Sequence, residues 1–147
     1  MAVFGAPLPQ PDHAHRGIAC AQALVSEGLP AFDRWVSAQG IAEQFDVGVG
    51  PASGALRSGN VGSPDRVEYT AIGDATNTAA RLQSRARDAG VTALIAASVL
   101  TQLARPAPGL IDAGLHSLPG KDQPVRAHTF VSQEAQGASL PASTLAE

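Results

Sequence analysis

VEYTAIGDATNTAARL, residues 67–82, decides how this chain is read. A strand-like run over 67–72 closes at Gly73 and Asp74, and a helical pattern follows. At about 100° of rotation per residue, Ala75, Ala79, Leu82 and Ala86 form a small apolar stripe, and Asn77 and Arg81 lie roughly opposite to it. An amide and a guanidinium, four positions apart, therefore share one outward face. Asp74 reads as the N-cap of this helix, its carboxylate accepting backbone N–H groups of the first turn.

Working outward, residues 2–4 form a short apolar run closed by Gly5 and Pro7, which reads as a buried strand. Asp12 is the expected N-cap of a helix reaching Glu27, interrupted by Gly28 and Pro30, with Phe32, Trp35 and Val36 marking a further apolar turn or two. Phe45, Val47 and Val49 alternate with Asp46 and Gly48, the period of a half-buried strand, and the Gly-, Ser- and Asn-rich residues 53–65 connect it to the run at 67–72 in an expected hairpin. After the Asn77/Arg81 helix ends near Gly90, a strand is expected over 91–96, a short helix over 99–103, and a terminal hairpin through Pro119 and Gly120. The pattern is α+β, strands with helices laid against them. Residues 132–147 have little to bury and read as a disordered tail beside a domain over 1–131.

In its longer context, SGNVGSPDRVEYTAIGDATNTAARL, the segment resembles the class III adenylyl/guanylyl cyclase catalytic domain of bacterial type. The likeness extends in order to MAVFGAP at 1–7, DHAH at 12–15, FDVGVG at 45–50 and LPGKDQPVRAHTF at 118–130. It implies an incomplete ferredoxin-like cyclase fold, a mostly antiparallel sheet covered by helices. It also implies the chemistry: the ribose 3′-hydroxyl of a nucleoside triphosphate attacks the α-phosphorus, giving a 3′,5′-cyclic nucleotide and pyrophosphate. Two metal ions, Mg²⁺ or Mn²⁺, activate the hydroxyl and neutralise the phosphates, a cation meets the charge developing at the α-phosphate, and the ribose is held in line. Arg81 matches the family's transition-state arginine, for which a permanently charged planar fork is suited. Asn77 matches the residue that orients the ribose, and Thr70 the position that helps select the purine; Thr70 alone does not fix the base, and ATP is favoured over GTP on the bacterial character of the motif. Lys121 matches a lysine that approaches the triphosphate, although Gly120, Lys121 and Asp122 equally make an ordinary solvated hairpin tip, so both readings stay open.

Family members carry a metal-binding Asp just ahead of the position matched by Met1, and a second Asp and a base-reading Lys further upstream; none of the three is in this chain. No metal ligands are therefore assigned here, and Asp74 is not taken as a substitute. His13 and His15 are spaced too closely to face together on a helix and are read as part of helix initiation. Gly59, Asn60 and Gly62 are expected in a tight connection between strands, not in a phosphate cradle. At 51–56, PASGAL departs from the family's usual run and keeps only Gly54, and Arg57 and Ser58 stand where the family tends to be apolar, so the sheet edge or dimer face has drifted.

Class III cyclases act as dimers with sites at the interface, the metal Asps coming from one protomer and the Asn/Arg pair from the other. The resemblance thus implies ATP as the small-molecule partner and a homodimer, or a heterodimer with an intact cyclase domain. The expected function is adenylate cyclase-type, inactive by itself as given; the alternatives are a catalytically silent dimerisation module and a degenerate remnant.

Composition is consistent with this reading. The chain has 147 residues, 44% hydrophobic and 16% charged, ordinary for one globular domain. A net charge of −3 without a Lys/Arg block argues against a nucleic-acid or anionic membrane surface. Cys20 stands alone, which excludes an internal disulfide framework, and its helical neighbours Ile18 and Leu24 place it in a core. No transmembrane run or secretory leader is seen, and a cytoplasmic location is expected.

Overall fold

The computed structural model describes residues 1–43, 45–63 and 66–131. The tail expected over 132–147, and with it the domain boundary drawn at 131, lies outside the described residues.

The helical N-terminal part comprises α1 (His13–Ala23), a π-helical turn (Leu24–Gly28) and α2 (Leu29–Ala38). Gly28 and Pro30 do not end the helix as the sequence implied. Proline cannot donate to the carbonyl four residues back, and the wider π turn immediately before it lets the helical path continue. Asp12 occupies the N-cap position without capping: its carboxylate accepts from Arg16 Nε at 2.8 Å. That bond, before any other influence, holds the Asp12 carboxyl below its ordinary pKa.

A hairpin, β1 (Arg57–Ser63) and β2 (Arg66–Ile72), runs antiparallel from Arg57↔Ile72 to Ser63↔Arg66. The expected partner of β2 was the alternating segment over 45–50. The observed partner is the Gly- and Ser-rich stretch itself, and GNVG at 59–62 lies inside β1 and not in a connection. Only two residues separate the strands, so the nearest chain wins the pairing, and the β-branched and aromatic residues of β2 supply the strand propensity that β1 lacks.

Next come α3 (Asp74–Asp88), β3 (Ile95–Ala96), α4 (Ala97–Leu100), β4 (Leu110–His116) and β5 (Val125–Phe130). The second sheet has the order β3-β5-β4 and is antiparallel throughout, with an irregularity between Asp112 and Gly114. The strand expected over 91–96 shrinks to two residues, preceded by a single parallel bridge between Val49 and Ala93. α3 covers one face of this sheet, packing Leu82 and Ala86 against Leu94, Ala96, Leu118 and Ala127. α1 and α4 cover the other, where Ala14 and Ile18 meet Ile95 and Val99. At about 25 cal/mol per Å² of apolar surface removed from water, these two clusters provide the main favourable term of folding.

The segment at 45–50 is not a strand. Val49 donates its N–H to Thr92 and accepts from Leu94, and Pro51 accepts from Ala96, so one edge runs beside β3. Gly48 and Gly50 press against α3: a Cβ on Gly50 would stand 2.3 Å from the Ala79 carbonyl oxygen, and one on Gly48 2.2 Å from that of Gln83. The alternation seen in the sequence thus records backbone contact with a helix. Phe45 and Val47 are exposed. Residues 2–4 likewise form no strand, because no described residue pairs with their backbone. Cys20 is half-buried rather than core.

Candidate functional site

α3 begins directly after β2, so the chain passes from strand to helix within one residue, Gly73. Here too a side chain is excluded, since a Cβ would meet the Ala55 carbonyl oxygen at 2.8 Å. The buried side of α3 carries Ala75, Thr78, Leu82 and Ala86. Thr78 takes the place expected for Ala79, satisfying its hydroxyl by donating to the Asp74 carbonyl at 2.8 Å. On the neighbouring face Asp74, Asn77 and Arg81 fall within about 60° of arc, Asp74 at the border of the stripe and Asn77 furthest from it.

The turn between β4 and β5 lies against that face at two points. Arg81 Nη1 donates to the Gly120 carbonyl at 3.4 Å. Lys121 Nζ forms an ion pair with Asp74 Oδ2. The turn itself is closed by Lys121 N–H donating to the Leu118 carbonyl at 3.1 Å, and Gly120 supplies the left-handed φ of +66°. A side chain at 120 would also crowd the Arg81 guanidinium, whose Nη2 would be 3.1 Å from its Cβ.

Of the residues expected from the sequence, Arg81 and Lys121 are thus drawn to one surface, with the exposed Asn77 between the two contacts along the helix. Thr70 is half-buried on β2 opposite Gly59, and among the described residues no hydrogen bond or ion pair links it to the other three. Asp74 was read as an N-cap; Gly73 holds that position and the carboxylate faces Lys121. Its seven-residue spacing from Arg81, two helical turns, was the signal that could have placed it on the same face.

A cleft of about 1180 Å³ opens on the other side of α3, between the N-terminal segment, α1 and residues 47–58. Among the described residues, Asp, Glu, Lys and Arg are absent from its lining, and it includes none of Thr70, Asn77, Arg81 or Lys121. For divalent cations the fit is poor. Mg²⁺ and Mn²⁺ require several oxygen ligands, but the Asp74 carboxylate already pairs with Lys121, and Asp88, on the same arc of α3, lies about 21 Å further along the helix. Among the described residues no group of three His, Cys, Asp or Glu gathers to hold a metal ion. No described helix is long and apolar enough to cross a membrane.

No protein-family model matches the chain. Adenylate cyclase 1 of Rhizobium meliloti is 37% identical over 101 residues, 69% of this chain and 15% of that protein. An uncharacterised protein of Mycobacterium tuberculosis is 33% identical over 127 residues, 86% of this chain and 22% of its own length. The chain therefore spans a quarter or less of these curated relatives. Among solved structures, the adenylyl cyclase CyaB from P. aeruginosa aligns with a TM-score of 0.69 at 24% identity, covering 87% of this chain and 64% of that one. The guanylyl cyclase Cya2 aligns with the same TM-score at 25% identity, covering 86% and 62%. Similar in sequence over most of its length and in fold over nearly all of it, this chain belongs to the class III adenylyl/guanylyl cyclase catalytic-domain family.

Proposed function

We propose that this chain supplies the phosphate- and ribose-side half of a nucleotide cyclase site, with ATP as the substrate converted to 3′,5′-cyclic AMP and pyrophosphate. The observation that carries this reading is the outward face of α3, where Asn77 is exposed and Arg81 reaches the turn that bears Lys121. In the proposed reaction the Arg81 guanidinium donates to oxygens of the α-phosphate as charge develops there, which lowers the barrier because the donor is already oriented. Asn77 holds the ribose so that its 3′-hydroxyl is in line. Lys121 offers a mobile positive charge to the distal phosphates, and Thr70, which can donate or accept, contacts the purine edge.

The described residues hold no ligand set for the divalent ions such chemistry uses, so this half needs a complement that carries the acidic ligands. A protomer from an intact cyclase meeting this one at the site would provide it. The test is complementation. An intact cyclase whose own transition-state arginine has been replaced is mixed with this chain and cyclic AMP formation is followed. Turnover should return on mixing, and Arg81→Ala in this chain should reduce it by a factor on the order of 10²–10³, the scale for losing one preorganised donor. Restored turnover that is indifferent to Arg81→Ala would remove Arg81 from the mechanism, and no restoration would remove the half-site reading. ATP and GTP offered in parallel decide the base.

A further inference from the structure

We propose that Asp74 is a positioning residue that parks the Lys121 amine against α3 and releases it to an incoming polyphosphate, an exchange that rests on the nucleotide reading above. Asp74 is the first residue of α3, and its carboxylate is bonded to Lys121 rather than to the helix amides. The two partners are unequally placed: the Asp74 side chain is 75% exposed and that of Lys121 21%. The amine is thus sheltered on the turn while its counter-ion stands open to solvent. Ion pairs with an exposed member are weak and easily displaced. A triphosphate brings several phosphoryl oxygens and more negative charge than one carboxylate, so it outcompetes Asp74 for the same ammonium.

The backbone is arranged so that only the side chain has to move. The Gly120 carbonyl stays on Arg81 and the Lys121 N–H stays on the Leu118 carbonyl when the amine lets go. Lys121 has a flexible stem with rotatable donors, and a swing about its χ angles transfers the charge from the start of α3 toward a ligand bound along the Asn77 and Arg81 positions. Asp74 therefore prevents the amine from wandering and sets the threshold a ligand must exceed to recruit it. A carboxylate that only stabilised the helix start would show no dependence on Lys121.

Lys121 is the only lysine of the chain, which gives the experiment a clean reporter. Reductive methylation with ¹³C-formaldehyde keeps its charge and labels it alone apart from the α-amino group. The methyl resonance of Lys121 should differ between the full wild-type chain and Asp74→Asn. Inorganic tripolyphosphate is then titrated into unlabelled wild type, Asp74→Asn, Lys121→Ala and the double variant. Asp74→Asn should tighten binding about 3–5-fold when Lys121 is present and by less than about 1.5-fold when it is alanine. Asp74→Glu should restore wild-type affinity. An unchanged methyl resonance, or an equal gain in both Lys121 backgrounds, overturns the proposal. Binding that Arg81→Ala abolishes but Asp74→Asn leaves untouched defeats this exchange while sparing the nucleotide reading. Failure of every variant to bind tripolyphosphate defeats the exchange, while the nucleotide reading stands or falls by the complementation assay.

Discussion

The three-stranded sheet and the β1–β2 hairpin are both antiparallel, yet they are held in opposite ways. Around β3, β5 and α3 the core is dry: Leu82, Leu94, Ile95 and Ala127 are fully buried. On the hairpin, paired residues share a face, which puts Val67 and Tyr69 on one side and Val61 and Ile72 on the other, all four more than half exposed. The hairpin is therefore fixed mainly by its ladder and its junction with α3, whereas α3 and the β4–β5 turn are fixed by packing. Arg81 and Lys121 belong to the packed region and Thr70 to the other. The difference teaches that the phosphate side of the proposed site is built on a rigid frame, while the base side sits on an element with two open faces.

The sharpest way to break this comparison is Leu82→Ala. It removes a fully buried side chain between α3 and the sheet and should destabilise the chain by about 2–5 kcal/mol in denaturant unfolding. A cost below about 1 kcal/mol would mean that α3 is not packed as described. Gly50→Ala should follow, at about 1–3 kcal/mol, because the new methyl must push the backbone of α3 away. Tyr69→Ala on the hairpin should stay within about 0.5 kcal/mol, the range for exposed positions outside special features. A large loss there would show that the hairpin is covered in solution by something that packs on it.

The smallest effect concerns pH. The Asp112 carboxyl is held below its ordinary pKa, first by the Gly114 N–H that donates to it and then by Arg126 and His128. A carboxylate depressed on folding stabilises the fold above its unfolded pKa, and that contribution is lost as pH falls through the lowered folded value. Asp112→Asn should therefore melt slightly below wild type at neutral pH, with the gap closing in acid. A gap that persists at low pH would assign the effect to something other than the charge.

Much of the packed half was legible in the sequence. The stripe of Ala75, Leu82 and Ala86 identified α3 and its outward face, and the turn residues Pro119 and Gly120 marked the final hairpin, because period and turn chemistry are local signals. β1 was not legible: Gly59, Gly62 and two serines carry no strand propensity and pair only because β2 lies next to them. Gly48 and Gly50 imitated strand alternation, since a residue kept small by a helix backbone looks the same on paper as one kept small on a sheet face. The continuation of helix past Pro30 depended on a π turn that no composition rule announces. Of the proposed site, Asn77, Arg81, Thr70 and Lys121 were named through the resemblance to the family, while the pairing of Asp74 with Lys121 needed a contact across 47 positions of sequence.

The glycines at 48 and 50 have one more consequence. Where two elements meet through side chains, a change of one methylene shifts their separation, and anything mounted on them shifts as well. Where they meet main chain to main chain, the spacing is set by bond lengths and atomic radii that are the same in every sequence. The Ala79 to Gln83 stretch of α3 is seated in this second way, and Arg81 points from the opposite side of that seat. The guanidinium is thereby gauged from a datum on one side of α3 that no side chain sets, and that side keeps its spacing so long as the two glycines remain.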